Sequence, residues 1–116
     1  MTTLLAPIPP STNALWRAHR KGARRSRRYL AWLKEAAWEV KLQKPPRFTG
    51  PVEIQIAIGR PDQRKRDLDN VATKALLDLL VQLRVIADDS LVSALAARWD
   101  DTIAPGRIAV TIAAAN

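Results

Sequence analysis

Apolar residues recur along the first half of the chain with two different periods, and each period predicts one element. Over residues 29–43 they fall at helical spacing, and the Pro45-Pro46 pair ends the pattern. Over residues 52–58 apolar and polar positions alternate, as in a strand with one buried face, until Gly59 interrupts the alternation. The first half therefore predicts a helix followed by a strand.

The second half predicts one more helix and two more strands. Residues 70–84 carry leucine and alanine around much of the helix circumference, which indicates a central, largely covered helix. Residues 91–99 and 107–113 have strand patterns, and Pro105-Gly106 predicts the turn between them. The chain is thus predicted to have an α/β (α+β) fold in which a small mixed sheet of about four strands packs with two main helices.

Composition adds size and charge to this picture. The chain has 116 residues, with 19 Lys and Arg against 11 Asp and Glu, and a formal net charge of +8. This length predicts a single domain over residues 1–116. A strong positive charge favours a polyanionic partner, because neutralising phosphates releases condensed counterions. Nucleic acid is the expected partner, and a basic surface that serves only solubility is the alternative.

The residues that are rare or missing exclude several kinds of chemistry. The chain has no cysteine and one histidine, so a thiolate nucleophile and a multi-histidine metal site within one chain are excluded. Its first ten residues lack the basic and long apolar segments of a secretion signal, and no stretch approaches the ~18 apolar residues of a membrane span. We therefore expect an unexported cytoplasmic protein without membrane association.

Residues 17–28 form the most basic segment of the chain, with seven Arg or Lys in twelve residues. Such a run repels itself, so we expect a mobile loop that a phosphate backbone orders. Trp16, at its start, would either stack on an unpaired base or pack the loop onto the core. The candidate DNA-binding residues here are Arg17, Arg20, Lys21, Arg24, Arg25, Arg27 and Arg28.

Two carboxylates, Asp67 and Asp69, lie at the start of the predicted central helix. At i,i+2 in an extended backbone their side chains point the same way and face one cation. Hard oxygen ligands of this kind suit Mg²⁺, with Mn²⁺ as the alternative ion. The alternative is that Asp69 only caps the helix while Asp67 pairs with Arg66 or Arg64. The basic residues directly before them, also candidates for DNA binding, are Arg64, Lys65 and Arg66.

A second acidic pair, Asp88-Asp89, follows the same predicted helix. Acidic residues in a turn are ordinary by themselves. Two carboxylates before one helix and two after it, in a chain rich in arginine, favour metal ions held against phosphate. The candidate metal ligands are therefore Asp67, Asp69, Asp88 and Asp89.

Several motifs in this region are specific enough to compare with known families. They are "RDLDN" at 66–70, "KALLDLL" at 74–80 and "IADDSLV" at 86–92, with "PIPPSTNALWR" near the start. In this order and spacing they resemble the RusA family of Holliday junction resolvases. The resemblance implies a homodimeric, Mg²⁺-dependent endodeoxyribonuclease, typically encoded by prophages, that cuts four-way DNA junctions by paired nicks in recombination and repair. It further implies that Asp67, Asp69 and Asp89 are the essential acids, with Asp88 beside them and Arg66 contacting DNA.

The resemblance also places a functional lysine four residues after Asp69, where this chain has Thr73, followed by Lys74. Lys74 is therefore a candidate catalytic residue only if the helix begins late or carries a bulge. A helix over residues 70–84 would be ~22 Å long. The extended residues that follow it return at most ~17 Å, which is too short to bring Asp89 back. Either the helix is shorter, or Asp89 completes the site of a second subunit.

Three hypotheses about function remain open. The first is the junction resolvase, whose metal-assisted hydrolysis needs no side-chain nucleophile. The second is a structure-selective nuclease of other branched DNA, such as a flap or a nicked duplex. The third is a non-catalytic basic nucleic-acid-binding module in which the carboxylates only cap and pair.

Overall fold

The computed structural model describes residues 1–19 and 22–115, except for the side chains of Asn13 and of residues 16–24. Within these residues the chain forms six strands and two α-helices, joined by short 3-10 helices and turns. In chain order they are β1 Thr2–Pro7, β2 Trp16–His19, β3 Gly22–Arg25, α1 Arg27–Leu42, β4 Val52–Ile58, α2 Thr73–Gln82, β5 Val92–Trp99 and β6 Arg107–Ala114.

Four of the strands form one mixed sheet in the order β1-β6-β4-β5. Strand β6 runs antiparallel to β1 and β4, whereas β5 runs parallel to β4. The alternating residues Val52, Ile54, Ile56 and Ile58 of β4 are buried, as the period of two predicts. The predicted α+β fold, with a mixed sheet of four strands and two main helices, is confirmed.

The predicted turn at Pro105-Gly106 is present, but β5 and β6, the two strands on either side of it, do not pair with each other. They flank β4, and the chain between them crosses the end of that strand at Gly59. A Cβ atom on Gly59 would lie 2.1 Å from the carbonyl oxygen of Ala104, so only glycine allows this crossing. The Gly59 amide donates to the Arg107 carbonyl at 2.9 Å, and the Gly59 carbonyl accepts from the Gly106 amide at 3.1 Å.

Strand β1 has no counterpart in the sequence prediction, because the prolines at its end obscure it. It lies at the sheet edge, where a proline is tolerated. The side-chain amide of Gln43, just after α1, occupies part of the open edge. Its Oε1 accepts from the Leu5 amide at 2.8 Å, and its Nε2 donates to the Leu5 carbonyl at 2.7 Å. Part of this edge is therefore unavailable to another strand.

In the basic segment 17–28, the described residues form two strands and the start of a helix and not only a loop, and the expected mobility stays a prediction. Strands β2 and β3 form an antiparallel hairpin, and helix α1 begins at Arg27 with Ser26 as its N-cap. The backbone hydrogen bonds that pair two strands do not depend on side-chain charge, so a run of basic residues can form them. The side chains of Arg17, Arg20, Lys21 and Arg24 lie outside the described residues.

Helix α2 is shorter than the predicted helix over residues 70–84. A 3-10 helix, Leu68–Asn70, precedes it, and the chain leaves it through Arg84, which has a left-handed backbone with φ 61°. Glycine is the usual residue in that conformation, so a non-glycine cap here costs about 1 kcal/mol. No helix in the described part of the chain combines the length and apolar character that crossing a bilayer requires.

Candidate active site

The carboxylates Asp67 and Asp69 lie in the connection from β4 to α2 and have no cation partner among the described side chains. Within the described part of the chain, neither side chain makes an ion pair or a hydrogen bond, although three basic residues directly precede them. Arg66 pairs instead with Asp62, with Nη2 2.6 Å from Oδ2 and Nε 3.1 Å from Oδ1. The hydrogen bond from Arg66 lowers the pKa of Asp62 to about 2. The neighbouring arginine is thus occupied, and Asp67 and Asp69 are left exposed.

The backbone around these two carboxylates contradicts both sequence interpretations of their geometry. Asp67 is extended, with φ −85° and ψ 129°, but Asp69 lies inside the 3-10 helix Leu68–Asn70, so the strand rule for i,i+2 side chains does not hold. Helix α2 has Ala72 at its N-cap and no side-chain cap. Asp69 therefore does not cap α2, and the capping alternative is also wrong.

The second acidic pair, in contrast, is held by its own chain. The Asp88 carboxylate accepts hydrogen bonds from the Ser90 hydroxyl and, at 3.2 Å, from the Ser90 amide, and the hydroxyl bond is the main reason that the pKa of Asp88 is lowered. Asp89 accepts from Lys74, with Nζ 3.0 Å from Oδ2. Lys74 also lies 3.3 Å from the Asp78 carboxylate. Asp89 first, and then Asp78, raise the pKa of the Lys74 ammonium group.

The short α2 explains how Asp89 returns to the start of the helix. Its ten residues rise ~15 Å at 1.5 Å per residue. The extended residues 85–89 return by up to ~17 Å, which matches that length. A parallel β-bridge between Phe48 and Ile86 holds the backbone of this segment. Asp89 therefore lies beside the first turn of α2 in its own protomer, and Lys74 reaches it without a bulge.

Lys74 is held by Asp78, which is itself hydrogen-bonded to Tyr29. The Tyr29 hydroxyl donates to Asp78 at 3.3 Å, and the Arg25 guanidinium lies 5.4 Å from the centre of the Tyr29 ring. Burial, followed by the Asp78 charge, raises the pKa of Tyr29. Neither Tyr29 nor Asp78 is among the site residues predicted from the sequence, although the i,i+4 spacing of Asp78 from Lys74 is a helix ion-pair signal.

The cluster of three carboxylates expected from the sequence is not assembled. In residues 1–19 and 22–115, no group of three or more acidic or histidine side chains is placed to hold a metal ion. Asp89 is paired with Lys74, and Asp67 and Asp69 do not share a strand face. The donor chemistry nevertheless fits Mg²⁺, which proteins usually bind with one or two carboxylates plus waters and substrate phosphates. The chain thus offers free hard donors but no preformed cage.

A cleft of about 760 Å³ opens beside Asp67, between the N-terminal proline segment, helix α1 and the connection from β4 to α2. We call it the Trp99 cleft, after the half-buried indole at the end of β5 that lines it. Its lining combines cations, one candidate catalytic carboxylate and aromatic rings. Among the lining residues are Arg28, Lys65, Arg66, Asp67, Trp32 and Trp99.

The predicted DNA-binding cations with described side chains are all exposed. The structure brings three of them, from two distant segments, to one cleft. This gives the excess positive charge a defined location beside Asp67. Their binding of DNA stays a prediction. The exposed cations are Arg25, Arg27, Arg28, Arg64, Lys65 and Arg66.

These features define a small basic α+β protein with exposed carboxylates beside a cationic cleft, the surface expected of an enzyme that cleaves a nucleic-acid backbone. Residues 7–113 match the family described as Endodeoxyribonuclease RusA, and the chain belongs to that family of DNA nucleases. It is similar to the crossover junction endodeoxyribonuclease rusA of Enterobacteria phage HK97, with 34% identity over 89 residues that cover 72% of this chain and 69% of the phage protein. The resemblance inferred from the motifs is confirmed.

Proposed function

We propose that this chain resolves four-way DNA junctions by paired hydrolysis of phosphodiester bonds, as a Mg²⁺-dependent homodimer that acts in recombination and repair in the cytoplasm. One observation carries this proposal above the others. Asp67 and Asp69 have no partner among the side chains that the structure describes, and Arg66 is engaged by Asp62 instead. Exposed acids that avoid nearby arginines are suited to bind a cation that the protein does not itself supply.

Different residues of the chain would have different roles at the scissile phosphate. Asp67, Asp69 and Asp89 would hold the ion, with Asp88 beside them. The bound ion, Mg²⁺ or in its place Mn²⁺, supplies Lewis-acid stabilisation of phosphate charge and a more acidic water. Lys74, whose pKa is raised, stays protonated at neutral pH and would place positive charge next to the transferring phosphate.

The exposed cations would bind the arms of the junction. Contacts to phosphate fix the position and orientation of the DNA, without reading its sequence. The basic hairpin, the start of α1 and the segment before Asp67 supply these charges. The family match names a DNA endonuclease, and this favours the enzyme hypotheses over a non-catalytic binding module.

The homodimer is supported by the symmetry of the substrate and by one edge of the sheet. Paired nicks in a two-fold junction require two sites, which a C2 dimer provides. Strand β5 lies at the sheet edge, and residues 92–97 contain no charged side chain, although natural edge strands are usually protected by charge or proline. A second chain of the same +8 charge approaches most easily through such an uncharged strand. Antiparallel pairing of two β5 edges is therefore the proposed contact.

Sedimentation of the wild type and of Leu95→Lys tests this contact. Leu95 is 43% exposed on β5, so the substitution adds charge to the edge without emptying the core. The wild type should sediment as a dimer at micromolar concentration and the variant as a folded monomer. A wild type that is monomeric would refute the homodimer, and a variant that stays dimeric would refute the β5 contact.

Cleavage of a synthetic four-way junction by Asp69→Ala tests the function itself. We expect cleavage to be abolished while binding to the junction stays intact or tightens, because a carboxylate near phosphate is removed. Asp101→Ala, an exposed acid in the β5–β6 connection, is the matched control and should cleave normally. Flap and linear duplex substrates of the same sequence then separate a junction resolvase from a nuclease of other branched DNA.

A further inference from the structure

We infer that the Trp99 cleft receives one unpaired deoxynucleotide at the branch point, with its base against the apolar wall and its phosphate toward the cationic rim. This inference rests on the proposed function, because it concerns the DNA that the chain cleaves. The cleft would then favour DNA in which base stacking is interrupted.

The apolar wall of the cleft is built from side chains whose positions are fixed. The Trp32 indole nitrogen donates to the Pro7 carbonyl at 2.9 Å, and the Trp32 side chain is only 5% exposed. Trp99 packs against the core, and the guanidinium carbon of Arg60 lies 4.7 Å from the centre of its ring. Trp32 and Pro9 are buried and hold the wall from behind, so its accessible surface comes from the half-buried residues Ile8, Pro10, Val71 and Trp99. A rigid apolar wall of this kind suits van der Waals contact with a base, and such contact is tolerant of sequence.

The rim of the cleft carries the charges that a nucleotide phosphate requires. Arg28 lies in the first turn of α1 and Lys65 in the connection before α2, and both are exposed. Arg66, on the same rim, is already paired with Asp62, and Glu35 adds one negative charge. Asp67 lines the same cleft, so a nucleotide bound here would lie next to a candidate catalytic carboxylate. Base recognition and backbone cleavage would thus take place on neighbouring nucleotides.

The size and character of the cleft favour an unpaired nucleotide over intact duplex. Its volume of about 760 Å³ lies in the range of ~300–1,000 Å³ typical of sites for small organic ligands, and a deoxynucleotide is a ligand of that size. Intact duplex keeps its base faces stacked and presents phosphates, sugars and groove edges. Linear duplex would therefore leave the apolar wall unused, whereas a nucleotide unstacked at a crossover would cover it.

Filling the cleft tests the inference without removing any existing contact. Ala31 is exposed on α1 and lines the cleft, so Ala31→Trp places a ring in the proposed base site. Leu30→Trp adds the same ring at the neighbouring position, which is exposed and outside the lining. Affinities for a four-way junction and for linear duplex of equal length are measured by fluorescence anisotropy in EDTA, where no cleavage occurs.

We expect Ala31→Trp to weaken junction binding by about 10-fold, because the new ring occupies the site of the unpaired nucleotide. Binding of linear duplex should change little, because duplex does not use that site. Leu30→Trp should leave both affinities unchanged, and Ala31→Leu should give a smaller loss in the same direction. Equal losses for junction and duplex, or no loss for either, would overturn the inference.

A second readout locates the base directly. A junction with 5-iododeoxyuridine at the crossover is irradiated in complex with the wild type, and the cross-linked peptide is identified by mass spectrometry. Cross-links should fall on the peptides that contain Trp32 or Trp99 for the crossover base and not for a base within an arm. Cross-links elsewhere would refute the subsite even if Asp69→Ala abolishes cleavage. A wild type that does not cleave the junction would refute the proposed function instead.

Discussion

The two acidic pairs that flank helix α2 differ in what holds them. Asp88 and Asp89, after the helix, are bonded to Ser90 and Lys74 of the same protomer. Asp67 and Asp69, before the helix, have no side-chain partner in the described part of the chain. Contacts within the protein therefore fix the positions of Asp88 and Asp89. The positions of Asp67 and Asp69 would be fixed only when a ligand binds.

This difference separates two requirements of a phosphate-cleaving site. A lysine placed beforehand costs no reorganisation when charge develops on the phosphate. Unpartnered carboxylates keep their full capacity for a cation, because no internal ion pair has to break first. The predictions below test whether the two pairs serve one site and how strongly each depends on its partners.

The largest expected effect is complete loss of nicking in heterodimers that carry one substituted acidic pair in each subunit. Asp67→Asn and Asp89→Asn should each be inactive, and heterodimers formed by refolding the two together should also be inactive, because both carboxylates serve the same protomer. The measurement is nicking of a four-way junction by the refolded mixture. Mixing Asp67→Asn with wild type is the control for refolding. Recovered nicking in the double-mutant mixture would show that Asp89 completes the partner's site.

Removal of the Lys74 charge should cost about 10²-fold in the single-turnover rate, since one preorganised group at the transition state is lost. Lys74→Met is the test, and Lys74→Arg is the matched variant that keeps the charge. Because its folded-state pKa is raised, the stability that Lys74 gains from its carboxylates is fully present below its ordinary pKa of ~10.4 and is lost only as the pH rises through the folded value. The rate should therefore show no decline from this group between about pH 7 and pH 10. A Lys74→Met rate equal to that of the wild type would remove the lysine from the site.

A smaller loss is expected when the support beneath Lys74 is weakened. Tyr29→Phe keeps the buried ring but removes the hydroxyl that donates to Asp78. We expect kcat to fall by about 3- to 10-fold with KM unchanged, because the lysine is less well positioned while DNA binding is unaffected. Thermal unfolding serves as the control for stability. A loss of activity that only follows a lower melting temperature would argue against a positioning role.

The smallest expected effect concerns the carboxylate that occupies Arg66. Asp62→Asn releases that arginine, so DNA binding should tighten by a few-fold and the slope of log K against log salt should steepen by about one charge. The pKa of Asp62 is lowered to about 2, so in the wild type the pair is intact above the ordinary carboxyl pKa and is lost as the pH falls toward that value. Melting temperature should be unchanged at neutral pH, because both side chains are exposed. Unchanged salt dependence would indicate that Arg66 does not contact DNA.

Much of the fold follows from local patterns that a single sequence contains. The strand around Ile54, the helix after Ser26 and the strand around Val110 are each indicated by their own period. Helix α2 is recognisable, but its ends are not, because a 3-10 helix and a left-handed arginine depend on neighbouring segments. The edge strand β1 is not predicted because Pro7 and the prolines after it resemble a loop, and because its partner β6 is about one hundred residues away.

The motifs by themselves determined the nuclease family and the two acidic segments, since short spacings and residue types are local properties. Only the tertiary structure decided that Arg66 binds Asp62 rather than Asp67, that Lys74 meets Asp89, and that Trp99 lines the cleft beside Asp67. For each of these contacts the sequence offers several chemically equivalent partners. Which partner is used depends on distances that are set by packing, and the order of residues along the chain does not give those distances.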